Sequence, residues 1–220
     1  MRESSTPGTT PRRGGRPSQS QSGLIREQIL DIATDMFLAQ GYGATSIEAI
    51  AKSAGMAKRT FYHRFADKEE LFAAVVHRLI LRMRPAHTEN LFKGGTLEEI
   101  LQKLAKAILR AALSPEALAL HRMIISETAR FPELAAIMDS EGARKQAVTL
   151  IAQLLEHYTQ EGTLKLDDAW FAAEQFLQMV VSAPQQNALA SGDAIAPDKQ
   201  HAWADKTVRL FLDGCKNRNA

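Results

Sequence analysis

TSIEAIAKSAGMAKRTFYHRFADKEELF, residues 45 to 72, contains two short helical patterns around a glycine, followed by an aromatic and basic cluster. Thr45 and Glu48 have the spacing of a capping box, in which Thr45 accepts the Glu48 amide and Glu48 reaches back. Ile47, Ile50, Ala51 and Ala54 then share one helical face. Gly55 is free to take the left-handed backbone that ends a helix. The second pattern, from about Ala57 to Arg64, puts Phe61 and Phe65 on one face and Lys58, Arg59, Thr60, Tyr62 and His63 on the other. Asp67 with Glu70 opens a third helix.

A helix of about two turns is unstable alone, because nucleation is costly, so packing must hold it. Its outward face suits a DNA groove. Lysine and arginine neutralise phosphate and bond base edges, and hydroxyls of threonine and tyrosine anchor phosphate. Between positions 52 and 68 the cations are Lys52, Lys58, Arg59, Arg64 and Lys68, against the single acid Asp67.

Upstream, Ile25, Ile29, Ile32, Ala33, Met36 and Phe37 form an apolar stripe that predicts an amphipathic scaffold helix from about Leu24 to Gln40. Residues 1–22 are rich in Ser, Thr, Gly and Pro without apolar periodicity, and read as a disordered basic arm. Arg12, Arg13 and Arg16 give that arm a chemistry able to reach a minor groove, and a merely solvated tail is the plain alternative.

The stretch from about Leu24 to Phe72 resembles the DNA-binding domain of the TetR/AcrR family of transcriptional regulators. The resemblance rests on Gly41-Tyr42, Thr45-Ser46-Ile47, Ile50-Ala51, Ala54-Gly55 and Thr60-Phe61-Tyr62-x-x-Phe65-x-x-Lys68-Glu69. It implies phosphate contacts from Thr45, Tyr62 and Lys68, a major-groove surface of Lys58, Arg59, Thr60 and His63, and an arm contact from Arg16. Two positions depart from the common pattern. Ala57 replaces a capping hydroxyl, weakening the N-cap of the reading helix. Arg59 replaces a small residue, and its guanidinium fork matches O6 and N7 of guanine, which makes it the expected base reader.

Downstream, helical periodicity runs to the end with no alternating segment, so the fold class is all-α. The expected organisation is a three-helix helix-turn-helix domain over residues 23–70 and a larger helical domain over 71–220. Thr96 with Glu99, Ser114-Pro115, Pro132-Glu133 and Asp167-Asp168 mark helix starts, and Gly142 and Gly162 mark breaks. Residues 130–162, RFPELAAIMDSEGARKQAVTLIAQLLEHYTQEG, are similar to the C-terminal domain of AcrR-like and AefR-like repressors.

The last two helices, about 167–190 and 197–216, carry Trp170, Phe171, Phe176, Trp203, Leu210 and Phe211 with little polar surface on the first of them. The resemblance implies that they pair across a two-fold axis into a four-helix bundle, giving a homodimer with paired recognition helices. It also implies a small, apolar effector in the C-terminal domain that releases a palindromic double-stranded operator. Met83, Phe92, Met123, Trp170, Phe176 and Met179 are the candidate lining, with plain core as the bland reading.

Composition narrows the alternatives. Of 220 residues, 45% are hydrophobic and 24% charged, which suits a globular chain. There is no apolar run near the roughly 20 residues needed to span a bilayer and no hydrophobic signal region, so no membrane partner is expected and a cytoplasmic location is. Residues 1–84 hold 13 Lys and Arg against 8 Asp and Glu, and residues 85–220 hold 14 against 17, so positive charge gathers in the DNA-binding part.

Cys215 is the single cysteine, which excludes an intrachain disulfide and reads as an inert thiol. The six histidines are scattered. His157 with Glu161 and His201 with Asp205 have the four-residue spacing that puts two potential ligands on one helix face, and both pairs read as surface ion pairs rather than metal ligands. Without a His-Glu-x-x-His run, a phosphate loop or a nucleophile elbow, neither a metal nor another cofactor is expected, and the chain does not read as an enzyme. The rival readings are a metal-dependent helical enzyme and an architectural protein that binds DNA without sequence preference.

Overall fold

The computed structural model describes residues 19–83, 94–140, 143–192 and 195–215, and among these it contains helices and no strand. In chain order the helices are α1 (Gln19–Gln40), α2 (Ile47–Ser53), α3 (Lys58–Tyr62), α4 (Lys68–Met83), α5 (Leu97–Ala112), α6 (Pro115–Glu127), α7 (Glu133–Ser140), α8 (Ala143–Gln160), α9 (Ala169–Ser191) and α10 (Pro197–Cys215). Arg16 and Phe92 lie outside the described residues, as does the side chain of Met83.

Most boundaries follow local chemistry. At α4, Asp67 accepts the Glu70 amide at 2.7 Å and the Glu70 carboxylate returns to the Ala66 amide at 2.6 Å. Thr96 and Glu99 form a reciprocal capping box at α5. Ser114 caps α6 ahead of Pro115 at its first turn. Asp168 caps α9, accepting the Phe171 amide at 2.9 Å, and Gly192 closes that helix in the left-handed region.

Two starts differ from expectation. Helix α1 begins at Gln19, so residues 19–22, assigned to the arm by composition, are helical. Adding a turn to a helix already anchored by packing is far easier than nucleating one. At α2 the cap is Ser46, whose hydroxyl accepts the Ala49 amide at 3.1 Å, and not Thr45. Thr45 is buried, and its hydroxyl donates to the Gly41 carbonyl at 2.8 Å.

The buried side chains form two clusters. One joins α1–α4 around Ile29, Phe37, Ile50, Phe61, Phe65, Leu71, Phe72 and Val76, and takes in Leu120, Met123, Ile124 and Leu134 from α6 and α7. The other joins α5, α8, α9 and α10 around Leu101, Leu109, Ile151, Leu155, Phe176, Val180, Val208 and Phe211. Leu71, Phe72, Val75, Val76, Leu79 and Ile80 of α4 are buried and belong to the first cluster.

One irregularity in α9 is compensated across helices. Pro184 lies inside it and has no amide, so the carbonyl four residues earlier, that of Val180, lacks its helical donor. The Trp203 indole N–H of α10 donates to that carbonyl at 3.0 Å.

Candidate nucleic-acid interface

Helix α3 is five residues long, shorter than the expected two turns, with Ala57 as N-cap and His63 as C-cap. Ala57 makes no side-chain cap bond, as its missing hydroxyl dictates. Packing supplies the stability instead. Phe61 and Phe65 are completely or almost completely buried and lie 5.8 Å apart between ring centroids. Gly55, at φ 65°, makes the turn between α2 and α3. The Gln28 amide of α1 donates to the Ala54 carbonyl at 3.2 Å, fastening the end of α2 to the scaffold helix.

This packing leaves Lys58, Arg59, Tyr62 and His63 exposed and Thr60 partly so. Tyr62 stands edge-on to Phe61 at 5.6 Å, its outer side in solvent. Lys58 pairs with Glu48 across the helix-turn-helix and lies 5.8 Å over the Tyr62 ring. That hydrogen bond holds the Glu48 carboxyl below its usual range and the Lys58 ammonium above its own.

Two of the residues implied as phosphate contacts are engaged within the fold. Thr45 is buried with its hydroxyl on main-chain carbonyls, so in this conformation it reaches no phosphate and acts as a structural pin. Lys68 donates to the Thr45 carbonyl at 2.9 Å and stands 4.2 Å over the Tyr42 ring. Burial pushes its pKa down, partly opposed by Glu127 and Glu133. Tyr42 is pushed up to about 12, chiefly by burial and then by the carboxylates of Glu133, Glu69 and Asp67.

Lys68 and Tyr42 also mark where the reading domain meets α6. Phe131, just beyond α6, packs edge-on against Tyr42 at 5.1 Å. The Gly43 amide donates to Glu127 Oε1 at 3.1 Å. Gly41 takes φ 87°, a left-handed conformation that side chains rarely adopt, and a Cβ there would also stand 2.5 Å from the same oxygen.

The candidate effector lining does not converge. Met123 is buried in the reading-domain cluster, while Phe176 is buried in the other, 5.0 Å from Phe211. Trp170 is 42% exposed and Met179 is half-buried. Helical periodicity identified buried faces without identifying which neighbour each face meets. His157 and Glu161 form the expected exposed pair at 3.4 Å, whereas Asp205 pairs with Lys106 of α5 at 2.8 Å instead of with His201. Among the described residues no cluster of His, Cys, Asp and Glu is placed to hold a metal, and no helix is long and apolar enough to cross a membrane.

A short, basic helix seated on an aromatic core behind a glycine turn defines a helix-turn-helix DNA-binding protein. Residues 29–75 match the family of bacterial regulatory proteins, tetR family, and residues 99–214 match the AefR-like transcriptional repressor, C-terminal domain. The chain therefore belongs to the TetR family of transcriptional regulators, on the AefR-like branch.

Its relatives agree. The HTH-type transcriptional repressor ComR of Escherichia coli strain K12 is 32% identical over 84% of this chain and 88% of its own length. A TetR-family regulator from Mesorhizobium loti superposes with a TM-score of 0.76 at 28% identity, over 89% of this chain and 98% of that one. The flavonoid-responsive regulator FrrA gives 0.75 at 29% identity, over 89% and 99%.

Proposed function

We propose that this regulator represses transcription by binding a palindromic operator as a homodimer and leaves it when a small apolar molecule enters its C-terminal domain. One observation carries the DNA-reading part. Phe61 and Phe65 anchor α3 in the core while Lys58, Arg59, Tyr62 and His63 stay exposed and Thr60 partly so. Arg59 is exposed and makes no side-chain hydrogen bond to a described residue, so its fork is available to guanine. Tyr62 serves phosphate, and Lys68 with Thr45 positions the start of α4 against α2.

The proposed dimer face lies on α9 and α10. Phe171 is 59% exposed and Leu210 67%, with Trp170 and Trp203 partly uncovered, and large apolar groups of this kind favour burial against a partner. The AefR-like relationship of residues 99–214 and the flavonoid response in the name of FrrA support a small, largely apolar effector. By linkage, effector and operator weaken each other by one common factor, typically about 1–3 kcal/mol.

Selection of duplexes from random DNA by the purified protein tests the reading. The expected product is a palindrome with half-sites about one helical turn apart, bound roughly 10³-fold or more above unrelated DNA. Arg59→Ala should then relax preference at one guanine per half-site. Uniform binding to all duplexes would instead identify an architectural protein.

A further inference from the structure

We propose that Glu48 sets the selectivity of this DNA reader by holding the Lys58 ammonium away from phosphate. The inference rests on the DNA-reading face proposed above and assigns a role to a residue outside it. Glu48 is in the first turn of α2, Lys58 is the first residue of α3, and the ion pair spans the turn between them. Within the sequences of α2 and α3, IEAIAKS and KRTFY, Glu48 is the sole acid.

Stability does not account for such a pair. Its side chains are 51% and 60% exposed, and exposed pairs contribute a median of about 0–1 kcal/mol. Its effect on surface charge is larger. Tied to a carboxylate and laid over Tyr62, Lys58 presents a neutral pair on the proposed DNA-reading face, beside the exposed cation of Arg59. The two neighbouring cations are thereby separated by task. Arg59 keeps its fork for a base edge, and Lys58 is withdrawn from attraction to phosphate, which is blind to sequence.

Selectivity is a difference of affinities, so it rises when binding to the wrong partner is weakened. On unrelated DNA a free ammonium finds a phosphate in any register. On an operator the base contacts fix the register, so the same ammonium has fewer phosphates within reach. Freeing Lys58 therefore favours unrelated DNA more than the operator.

Glu48→Gln keeps the shape and removes the charge. Anisotropy titrations on the selected operator and on an unrelated duplex, across a salt series, read the effect. For the unrelated duplex, one more neutralised phosphate steepens the slope of log K against log salt by about 0.9, or about 3.5-fold in affinity between roughly 50 and 200 mM. The ratio of operator to unrelated affinity should narrow, Glu48→Asp should restore most of it, and Glu48→Gln with Lys58→Met should return the slope to its original value.

An unchanged slope on unrelated DNA overturns the proposal while leaving the DNA-reading face intact. A loss confined to the operator also overturns it, because Glu48 would then be contacting a base directly. If the unaltered protein binds neither duplex, the DNA-reading face itself fails and the proposal falls with it. Helical circular dichroism of each variant separates these outcomes from unfolding.

Discussion

The two hydrophobic clusters solve the same packing problem with different side chains. The reading cluster is aromatic, with Phe37, Phe61, Phe65, Phe72 and Tyr42 buried, and Phe37, Tyr42 and Phe72 in mutual ring contact at 5.2–5.7 Å between centroids. The C-terminal cluster has two buried phenylalanines and six buried alanines, at positions 105, 152, 172, 173, 188 and 204. Helices of five and seven residues offer few side chains each, so each must be large. Helices of 16 to 23 residues offer many, and alanine lets their backbones come close. The outer surfaces differ in the same way. One region exposes cations, and the other exposes phenylalanine and leucine.

The largest expected effect comes from removing a ring on the aromatic side. Phe61→Ala should cost about 3–5 kcal/mol and abolish operator binding, read by urea titration and anisotropy. If operator binding survived unaltered, α3 would not depend on that core. Next, Leu210→Asp tests the apolar outer face. Sedimentation should show monomers with native helicity, and operator affinity should fall by roughly 10²–10⁴ as the two half-sites cease to be linked. Dimers that persist would move the interface elsewhere.

A smaller effect is expected at the Pro184 site. Trp203→Phe retains a ring and deletes the indole N–H, leaving the Val180 carbonyl without a donor, at about 1–3 kcal/mol in chemical denaturation. The smallest involves His121 of α6, whose pKa burial lowers from the ordinary 6.5. As pH falls below 6.5 the unfolded chain takes up this proton before the folded one does, so stability declines on the acid side and is unaffected above it. His121→Gln should make that acid decline in melting temperature shallower, and an unchanged profile would show that His121 titrates alike in both states.

Short-range chemistry was legible in the sequence, and long-range pairing was not. Asp67, Thr96 with Glu99, Ser114-Pro115 and Asp168 act within four residues of themselves, so their spacing revealed the helix starts. Thr45 and Ser46 are adjacent hydroxyls with equal capping ability, and the choice between them is made by the Gly41 and Met36 carbonyls, which claim Thr45. The Glu48–Lys58 pair crosses 10 positions and the Gly43–Glu127 bond crosses 84, distances at which periodicity carries no information. Met123 shows the same limit. Its place on α6 marked it as buried but left open whether it faced the reading cluster or the other one.

The division of labour within α3 bears on how such a protein changes over generations. Phe61 and Phe65 are buried in the core, and the proposed contact surface is made of Lys58, Arg59, Thr60 and His63, which add little to that core. Exchange at those four positions is expected to alter what is read while leaving the buried anchors in place. A library randomised there, with both phenylalanines kept, should remain largely folded and yield variants that recognise operators the parent ignores. A regulator built this way can be copied and retargeted through single substitutions, each intermediate remaining a working protein.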